Sequence, residues 1–441
     1  MLFINSNTSC SHIEASEVKD YIGKIIKIHG IVHKIREMSG FAFVILRTKQ
    51  SMFQCIYSEE FSNFKLGEIK ENMGVIVSGE VIADKRSRTG AELRIKDFEI
   101  VSTAVDELPI VINNKEMACS LETLLDYRPI TLRNEKERSI FKLQAGICQS
   151  IRRFLDENNF TEIHSPKIVY NGAEGGANIF SLNYFGRKAF LTQSPQFYKQ
   201  MMVGTFERVY EIGPVFRAEK HDTSRHINEY TSIDLEMGFI ENFYDICRME
   251  TKMLAYTFEF LKEHYSKEIS LLEADIPQIT EIPSIEFLEA KELVSKTYNR
   301  KITDFEDFEP EEEKLLCEII KKQYNCDFIF VTHYKSSKRP FYAMDTKENP
   351  EVTESFDLIF RGMEITTGGQ RINDYNMQLE KMLKRSMNPE NFADFLMAHK
   401  YGLPPHGGLG LGLERLTGKI LGFQNIRLST MFPRDINRLT P

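Results

Sequence analysis

The sequence predicts an α+β protein: a small five-stranded β-barrel over residues 1–103, a hinge over 104–133, and a larger domain over 134–441 built on an antiparallel sheet flanked by helices. Three observations carry this. Before residue 103 the apolar residues fall in short alternating runs with turn signals between them. From residue 134 an apolar repeat at helical spacing sets in. At 208–239 two runs alternate with period 2, as the strands of a hairpin do.

The five β-rich runs are KIIKIHGIVHKI, FAFVILR, MFQCIY, GVIVSGEVIA and AELRIKDFEIV, separated by SG, KQS and RTG. Without a long helix they fit a barrel of the OB type. In FAFVILR, Phe41, Phe43, Ile45 and Arg47 share one face and Ala42, Val44 and Leu46 the other. Alternation alone leaves open which face is outside. An outward aromatic face would stack unpaired bases, a contact that contributes roughly 1–3 kcal/mol per base. The stretch 104–133 has two prolines and little periodicity, which marks it as the hinge.

Next comes a long amphipathic helix, in which Ile140, Leu143, Ile147, Ile151, Phe154 and Leu155 recur on one side. FTEIHSPKIVY follows as a strand interrupted by Pro166, a residue confined to edges, bulges and strand starts. The acidic stretch 265–330 reads as a solvated insertion with no chemistry of its own. Near the C-terminus, GLGLGLER matches neither GxGxxG nor GxxxxGK[ST]. Its alternating glycines 408, 410 and 412 predict a strand bare on one face, against which a flat ligand can lie.

Composition narrows the class. The chain has 441 residues, and no window approaches the ~18 apolar residues of a membrane span. The first residues lack a signal-peptide pattern, so a cytoplasmic protein is expected. Seven cysteines, odd in number and without CxxC spacing, predict neither a disulfide framework nor a zinc site. A net charge of −8 counts against nucleic-acid binding, but residues 1–103 are nearly balanced and the acidic excess lies in the rest.

The hairpin 208–239 concentrates chemistry. Glu211, Arg217 and Glu219 share one face of its first strand, and Tyr230, Ser232, Asp234 and Glu236 one face of its second. Its connection carries Arg225 and His226. Cations beside a carboxylate-rich floor suit a nucleoside triphosphate and its metal. FRAE with RHINEY resembles the second signature motif of class II aminoacyl-tRNA synthetases, GLGLGLER the third, and the helix with SPKIV the first, dimer-forming one. QSPQFYKQ, AEGGANIF, MEITTGGQR, YGLPPHGG and MFPRDINRLTP are similar to the aspartyl members of the archaeal and eukaryotic cytosolic kind, without their frequent Lys-rich extension.

That resemblance implies an aspartate–tRNA ligase with ATP, L-aspartate and tRNA(Asp) as partners, Mg2+ as cofactor and a homodimeric state. It implies Arg217 and Arg415 as the catalytic cations, Arg217 on the α-phosphate. Arg225, His226 and Arg415 would hold the outer phosphates, and Ala218, Glu219, Ile227, Tyr230, Gly412, Leu413 and Glu414 would complete the nucleotide site. Metal ligands would be Glu364, Asp357 and Thr367, the last where serine is common. For aspartate it implies Glu174, Ser194, Gln196, Lys199, Asp234, Tyr342, Thr367 and Arg371 besides Arg217. A β-carboxylate calls for two cations and an amide for a donor and an acceptor, so Lys199 with Arg371 favours aspartate over asparagine. Arg36, Phe43 and Gln54 would read the anticodon, with Lys85, Arg86 and Arg88 supplying phosphate contacts. An asparaginyl enzyme, an aspartyl enzyme that also charges tRNA(Asn), and a non-catalytic tRNA-binding paralogue are the alternatives.

Overall fold

Strands β1 (Ile25–Glu37), β2 (Ala42–Arg47), β3 (Met52–Tyr57), β4 (Gly74–Ala83) and β5 (Ala91–Ser102) close into a barrel in the order β1-β2-β3-β5-β4. The computed structural model describes residues 13–49, 51–87, 89–172, 178–220 and 223–441, so Cys10, Arg88 and Glu174 lie outside the described residues. Burial resolves the open question of faces. Ala42, Val44 and Leu46 are buried in the barrel core with Ile28, Phe53, Val77 and Leu93, which leaves Phe43, Ile45 and Arg47 half-buried on the outer surface. The six described cysteines are unbridged.

The chain forms two compact units, Met1–Arg138 and Ser139–Pro441. Within 104–133 stand two short helices, α1 (Leu121–Asp126) and α2 (Arg128–Thr131). Fully buried Arg128 pairs with Glu137 at 2.9 Å, and Asn134 Nδ2 donates to the carbonyls of Ile112 at 2.9 Å and Asn114 at 2.8 Å. These polar anchors, which have no period, give the stretch more fixed structure than its sequence pattern suggests.

The apolar side of α3 (Glu135–Glu157) is buried as its spacing predicts. Strand β6 (Thr161–Glu162) is separated by Pro166 from β7 (Ile168–Val169), which joins β8 (Ser181–Tyr184) and β9 (Arg187–Leu191) in a three-stranded sheet. After α4 (Gln196–Phe206), β10 (Arg208–Phe216) and β11 (Glu229–Gly238) form the predicted hairpin, followed by α5 (Tyr244–His264) and α6 (Ser266–Leu272). Then come β12 (Ser284–Glu286), α7 (Phe287–Tyr298), α8 (Pro310–Tyr324), β13 (Phe328–Thr332), β14 (Ser355–Phe360) and β15 (Met363–Arg371). Helices α9 (Tyr375–Lys384) and α10 (Ala393–Lys400) precede β16 (His406–Gly412) and α11 (Leu413–Ile420). The large sheet runs β12-β13-β14-β15-β16-β11-β10-β6; its centre is antiparallel as expected, while the outer pairs β12–β13 and β6–β10 are parallel.

The acidic stretch is not a solvated appendage. Phe287, Ala290, Val294, Leu316, Ile319 and Ile320 pack with Ile329 and Val331 of the sheet into a core of their own. Its glutamates cluster in the first turn of α8, where the helix dipole favours negative charge, and leave the apolar side to face inward. Buried Glu312 there meets buried Lys291 Nζ at 2.6 Å.

Register sorts the central strands into two faces. One carries the row Tyr210, Leu235, Leu409, Gly368 and Phe356, together with Ile233, Leu411, Thr366 and Leu358. Against it packs α5, whose buried Glu250 accepts a hydrogen bond from Thr366 Oγ1 at 2.6 Å while its Oε2 has no partner. Burial pushes this carboxyl up to about 8 from its ordinary 4.5. A raised carboxyl binds its proton more tightly in the folded state, so its contribution to stability is fully present below 4.5 and is lost as pH rises through about 8. Glu250→Gln, which copies the protonated acid but cannot ionise, is expected to match the parent in thermal midpoint at low pH and to exceed it above pH 8. Parallel midpoints for the two proteins across that range would show that Glu250 does not titrate there.

Candidate active site

The opposite face of the sheet floors a cavity of about 720 Å³. A single row of paired positions crosses it: Glu211, Asp234, Gly410, Thr367 and Asp357. The next row holds Val209, Glu236, Gly408, Gly369 and Ser355. Chemistry on this floor therefore comes from residues two apart on β11, with β16 contributing almost no side chain beside them.

At the centre lies a closed charge network. Lys199 Nζ, 1% exposed, donates to Asp234 Oδ1 at 2.9 Å and to the Leu409 carbonyl at 2.8 Å, and stands 3.5 Å from Glu236 Oε2. Arg371 donates through Nε to Glu236 Oε1 at 2.9 Å and through Nη2 to the Gly408 carbonyl at 3.0 Å, with its guanidinium over the ring of Tyr342. Ser232 Oγ donates to Asp234 Oδ2. Burial alone would raise the Glu236 carboxyl, but Arg371 and Lys199 hold it below its ordinary value. His406, behind Glu236, is pushed down to about 4 by burial and is neutral at physiological pH, with Nδ1 2.9 Å from the Pro404 carbonyl and Nε2 3.2 Å from Gln200 Oε1.

This network explains one of the three spaced glycines, Gly408, differently from the expectation of a ligand lying on a bare strand. A Cβ at Gly408 would come within 2.1 Å of both Glu236 Oε2 and the Leu235 carbonyl, and one at Gly410 within 3.2 Å of Asp234 Oδ1. At Gly408 the space is filled by the protein's own carboxylate. At Gly412 the nearest atoms are those of Arg415 at 3.7 Å, and Gly410 and Gly412 both line the cavity, so the strand is open from Gly410 onward.

Around the rim, Arg217, Glu219, Arg225, His226, Ile227 and Tyr230 of the hairpin meet Gly412, Glu414 and Arg415 from the start of α11, and Ser194, Gln196 and Tyr342 complete the wall. The hairpin connection is braced by Asn228, whose Nδ2 donates to the carbonyls of Arg217 at 2.6 Å and Glu219 at 2.9 Å. His226 Nδ1 lies 2.7 Å from Thr223 Oγ1, and Nε2 3.9 Å from Glu219. Arg415 Nη1 donates to the Glu364 carbonyl at 2.8 Å and lies 3.4 Å from its Oε1. Arg225 is ion-paired with Glu313 of α8, so the acidic stretch does reach the site.

Three of the expected nucleotide and metal residues lie off the cavity lining, and a fourth, Glu414, lines it but is engaged by backbone. Ala218 and Leu413 do not line the cavity, and buried Glu414 receives the Thr231 N–H on both oxygens at 3.0 and 3.1 Å, which ties α11 to β11. Burial lifts that carboxyl to about 7. Asp357 is also off the cavity lining and engages Arg339 Nη2 at 2.8 Å. Glu364 and Thr367 do line the cavity, with Thr367 Oγ1 donating to Glu364 Oε1 at 3.1 Å. Among the described residues no group of three or more His, Cys, Asp or Glu could hold a metal by itself.

Sequence reasoning passed over Glu236, Arg339 and Glu313 as site residues. Glu236 shared the period-2 face of Asp234 and could have been taken from that signal. Arg339, lying 3.9 Å from the centre of the Tyr334 ring, and Glu313 come from loops and helices distant in sequence, and nothing local marks them.

In the barrel, Arg36, Phe43 and Ile56 stand in one row of the outer face, and Lys34, Ile45 and Gln54 in the next. Phe43 meets Phe41 edge-on at 5.2 Å, and Gln54 Nε2 donates to Glu92 Oε1 at 2.6 Å. Arg86 is held by Asp84 at 2.8 Å.

Comparison with known proteins agrees with this arrangement. Residues 120–436 match the model of the class II tRNA synthetases (D, K and N), and residues 26–101 that of the OB-fold nucleic acid binding domain. The chain belongs to the class II tRNA synthetases. It is 44% identical to the aspartate–tRNA(Asp/Asn) ligase of Deinococcus radiodurans, over 96% of this chain and 98% of that one. With the aspartate–tRNA(Asp) ligase of Pyrococcus horikoshii it shares 38% identity over 98% and 99% of the two chains. Among solved structures, asparaginyl-tRNA synthetase from Pyrococcus horikoshii with asparaginyl-adenylate superposes with a TM-score of 0.88 at 30% identity, covering 96% of this chain and 97% of that one. A putative aspartyl-tRNA synthetase from Leishmania major gives 0.86 at 30% identity, over 100% and 97%.

The fit of Gly408 against Glu236 yields a direct test. Gly408→Ala should displace Glu236 from Arg371 and raise the KM for the amino acid by about tenfold or more, roughly 1.4 kcal/mol, with a smaller effect on the KM for ATP. Steady-state ATP–pyrophosphate exchange reads both, and equal changes in the two would show that the network does not serve the amino acid in particular.

Proposed function

We propose that this chain activates L-aspartate with ATP and transfers it to the 3′ end of tRNA(Asp). The observation that carries the choice of amino acid is the buried pair Lys199 and Arg371 on one floor, each held in place by a carboxylate. Lysine and arginine only donate hydrogen bonds. A β-carboxylate offers acceptors alone and suits them, whereas the amide of asparagine would turn an N–H2 toward at least one donor. Asp234, oriented by Lys199 and Ser232, is left to receive the α-ammonium. Glu174 belongs to the same proposal for the pocket, together with Ser194, Gln196 and Tyr342.

The reaction is an in-line attack of the aspartate α-carboxylate on the α-phosphorus of ATP, forming the mixed anhydride and expelling pyrophosphate. Two anions must meet, so the residues' main task is to supply positive charge where it accumulates. Arg217 serves the α-phosphate and the attacking carboxylate, and Arg415, His226 and Arg225 the outer phosphates. Tyr230 and the Gly412 backbone enclose adenine, and Glu219 accepts from its amino group. Glu364 with Thr367 fits a hard cation that keeps water and brings phosphate oxygens, and Mg2+ there would neutralise the departing pyrophosphate. Asp357, engaged by Arg339, supports the two from behind rather than adding a ligand. The tRNA 3′-hydroxyl then attacks the anhydride carbonyl and AMP leaves. On the barrel, Phe43 stacks an anticodon base with Arg36 and Gln54 beside it. A homodimer formed through the first motif, and a cytoplasmic location, belong to the same reading.

Lys199→Leu is expected to abolish aspartate-dependent ATP–pyrophosphate exchange. It also leaves Asp234 and Glu236 buried without their shared cation, so unlike a surface lysine it should cost about 3–5 kcal/mol of stability. Exchange is therefore measured at a temperature where circular dichroism shows the variant folded, and near-normal exchange would overturn the assignment. Aminoacylation of purified tRNA(Asp) and tRNA(Asn) with each amino acid tests the whole reading: aspartate should be incorporated and asparagine should not. Phe43→Ala should raise the KM for tRNA in the same assay, and unchanged tRNA kinetics would remove the stacking role.

A further inference from the structure

The outer face of the barrel does not end at the Phe43 row. Two rows along stands Arg47, opposite Ile31 on β1 and Met52 on β3. It is half-buried, its Nη1 is buried without a hydrogen-bond partner, and among the described residues it makes no ion pair. Its neighbours are also cations. Arg138 Nη1 donates to the carbonyl of Thr48, the residue after Arg47, at 3.0 Å. Arg133 is close enough that, after burial itself, repulsion from Arg133 and Arg138 pulls the Arg47 guanidinium down to about 10. His33, at the irregularity in β1, is depressed to about 4 by burial and by Arg47, with Glu135 the one acidic neighbour acting against this. Glu137 is occupied by Arg128.

Crowded guanidinium groups with a buried N–H that nothing accepts are costly in an isolated chain. An anion with several oxygens docked on the exposed part of half-buried Arg47 would relieve the repulsion, and planar guanidinium forks match phosphate in particular. Arg47 lies four residues along β2 from Phe43, about 13 Å at strand spacing, which is too far to serve a base stacked on that ring. All the residues involved belong to the first compact unit. We propose that Arg47, Arg133 and Arg138 form a phosphodiester site on the outer face of the barrel that binds a backbone phosphate of the tRNA flanking the base stacked on Phe43. The site rests on the reading of the chain as a tRNA synthetase, adds a contact outside the anticodon bases, and supplies the local positive charge that Arg86, neutralised by Asp84, does not.

The test uses the full chain and a tRNA(Asp) transcript, with binding measured across a series of salt concentrations for the parent, Arg47→Met, which keeps the stem, and Arg47→Lys, which keeps the charge. Arg47→Met should weaken binding severalfold at low salt and lower the slope of log K against log salt by about 0.7–0.9, the signature of one lost phosphate contact. Arg47→Lys should recover part of both, and ATP–pyrophosphate exchange should be unchanged in either variant. Without tRNA, the thermal midpoint of Arg47→Met should hold or rise, because a repelling charge has been removed. Unchanged affinity and slope, or weaker binding with the slope intact, would overturn the proposal while leaving the synthetase reading standing. A parent chain that fails to bind the transcript at all would overturn both.

Discussion

The second unit is organised around the need to keep two cations and two carboxylates dry on the floor of one cavity. Lys199, Asp234, Glu236 and Arg371 come from α4, β11 and β15, and none of them is more than slightly exposed. Charges taken out of water are tolerated only when paired and hydrogen-bonded with good geometry, and removing one partner strands the other. The neighbouring strand must therefore leave room. Gly408 and Gly410 do so, and the backbone carbonyls of Gly408 and Leu409 each accept one further hydrogen bond, from Arg371 and Lys199. The glycine-rich motif is thus as much a structural requirement of the carboxylates beside it as a surface offered to a nucleotide.

That constraint gives the sheet two unlike faces. Beneath it, aromatic and aliphatic rows pack on α5, interrupted by the Thr366–Glu250 hydrogen bond. Above it, polar side chains point into a cavity whose rim is made of loops and helix starts: the hairpin connection, the first turn of α11 and the loop that carries Arg339 and Tyr342. The rigid floor suits discrimination of a small charged substrate. The rim, where Arg225 pairs with Glu313 and Arg415 with Glu364, holds its cations on carboxylates that a polyphosphate can outcompete.

The barrel solves a different problem. Its interior is apolar and closed, so contact with any partner falls to outward residues, and those of β1 to β3 stand in rows fixed by register. Rows carrying Arg36, Phe43, Gln54 and Arg47 turn a small fold into a directional surface. A chain that is acidic as a whole can present such a surface because charge is placed locally, and net charge acts only on longer-range encounter.

Much of this was legible in the sequence because it depends on local period. The five barrel strands, the buried side of α3 and the hairpin 208–239 follow from alternation and helical spacing, and the cavity residues of β11 follow from a count of two. Placement of the acidic stretch, by contrast, required tertiary structure: local charge said solvent, but its apolar side is satisfied only against β13 and α7. The same holds for Arg339, which lines the cavity, and Glu313, which pairs with Arg225 at its rim, both from segments with no motif, and for the outward direction of Phe43, since alternation defines two faces without saying which one meets the core. Lys199 shows the boundary most sharply. Its residue type alone suggests an exposed helix position, and only the convergence of α4, β11 and β16 makes it the buried centre of the site. Sequence determines which side chains share a face; the packing of distant segments decides which of those faces becomes dry, and hence where a charge can do chemistry.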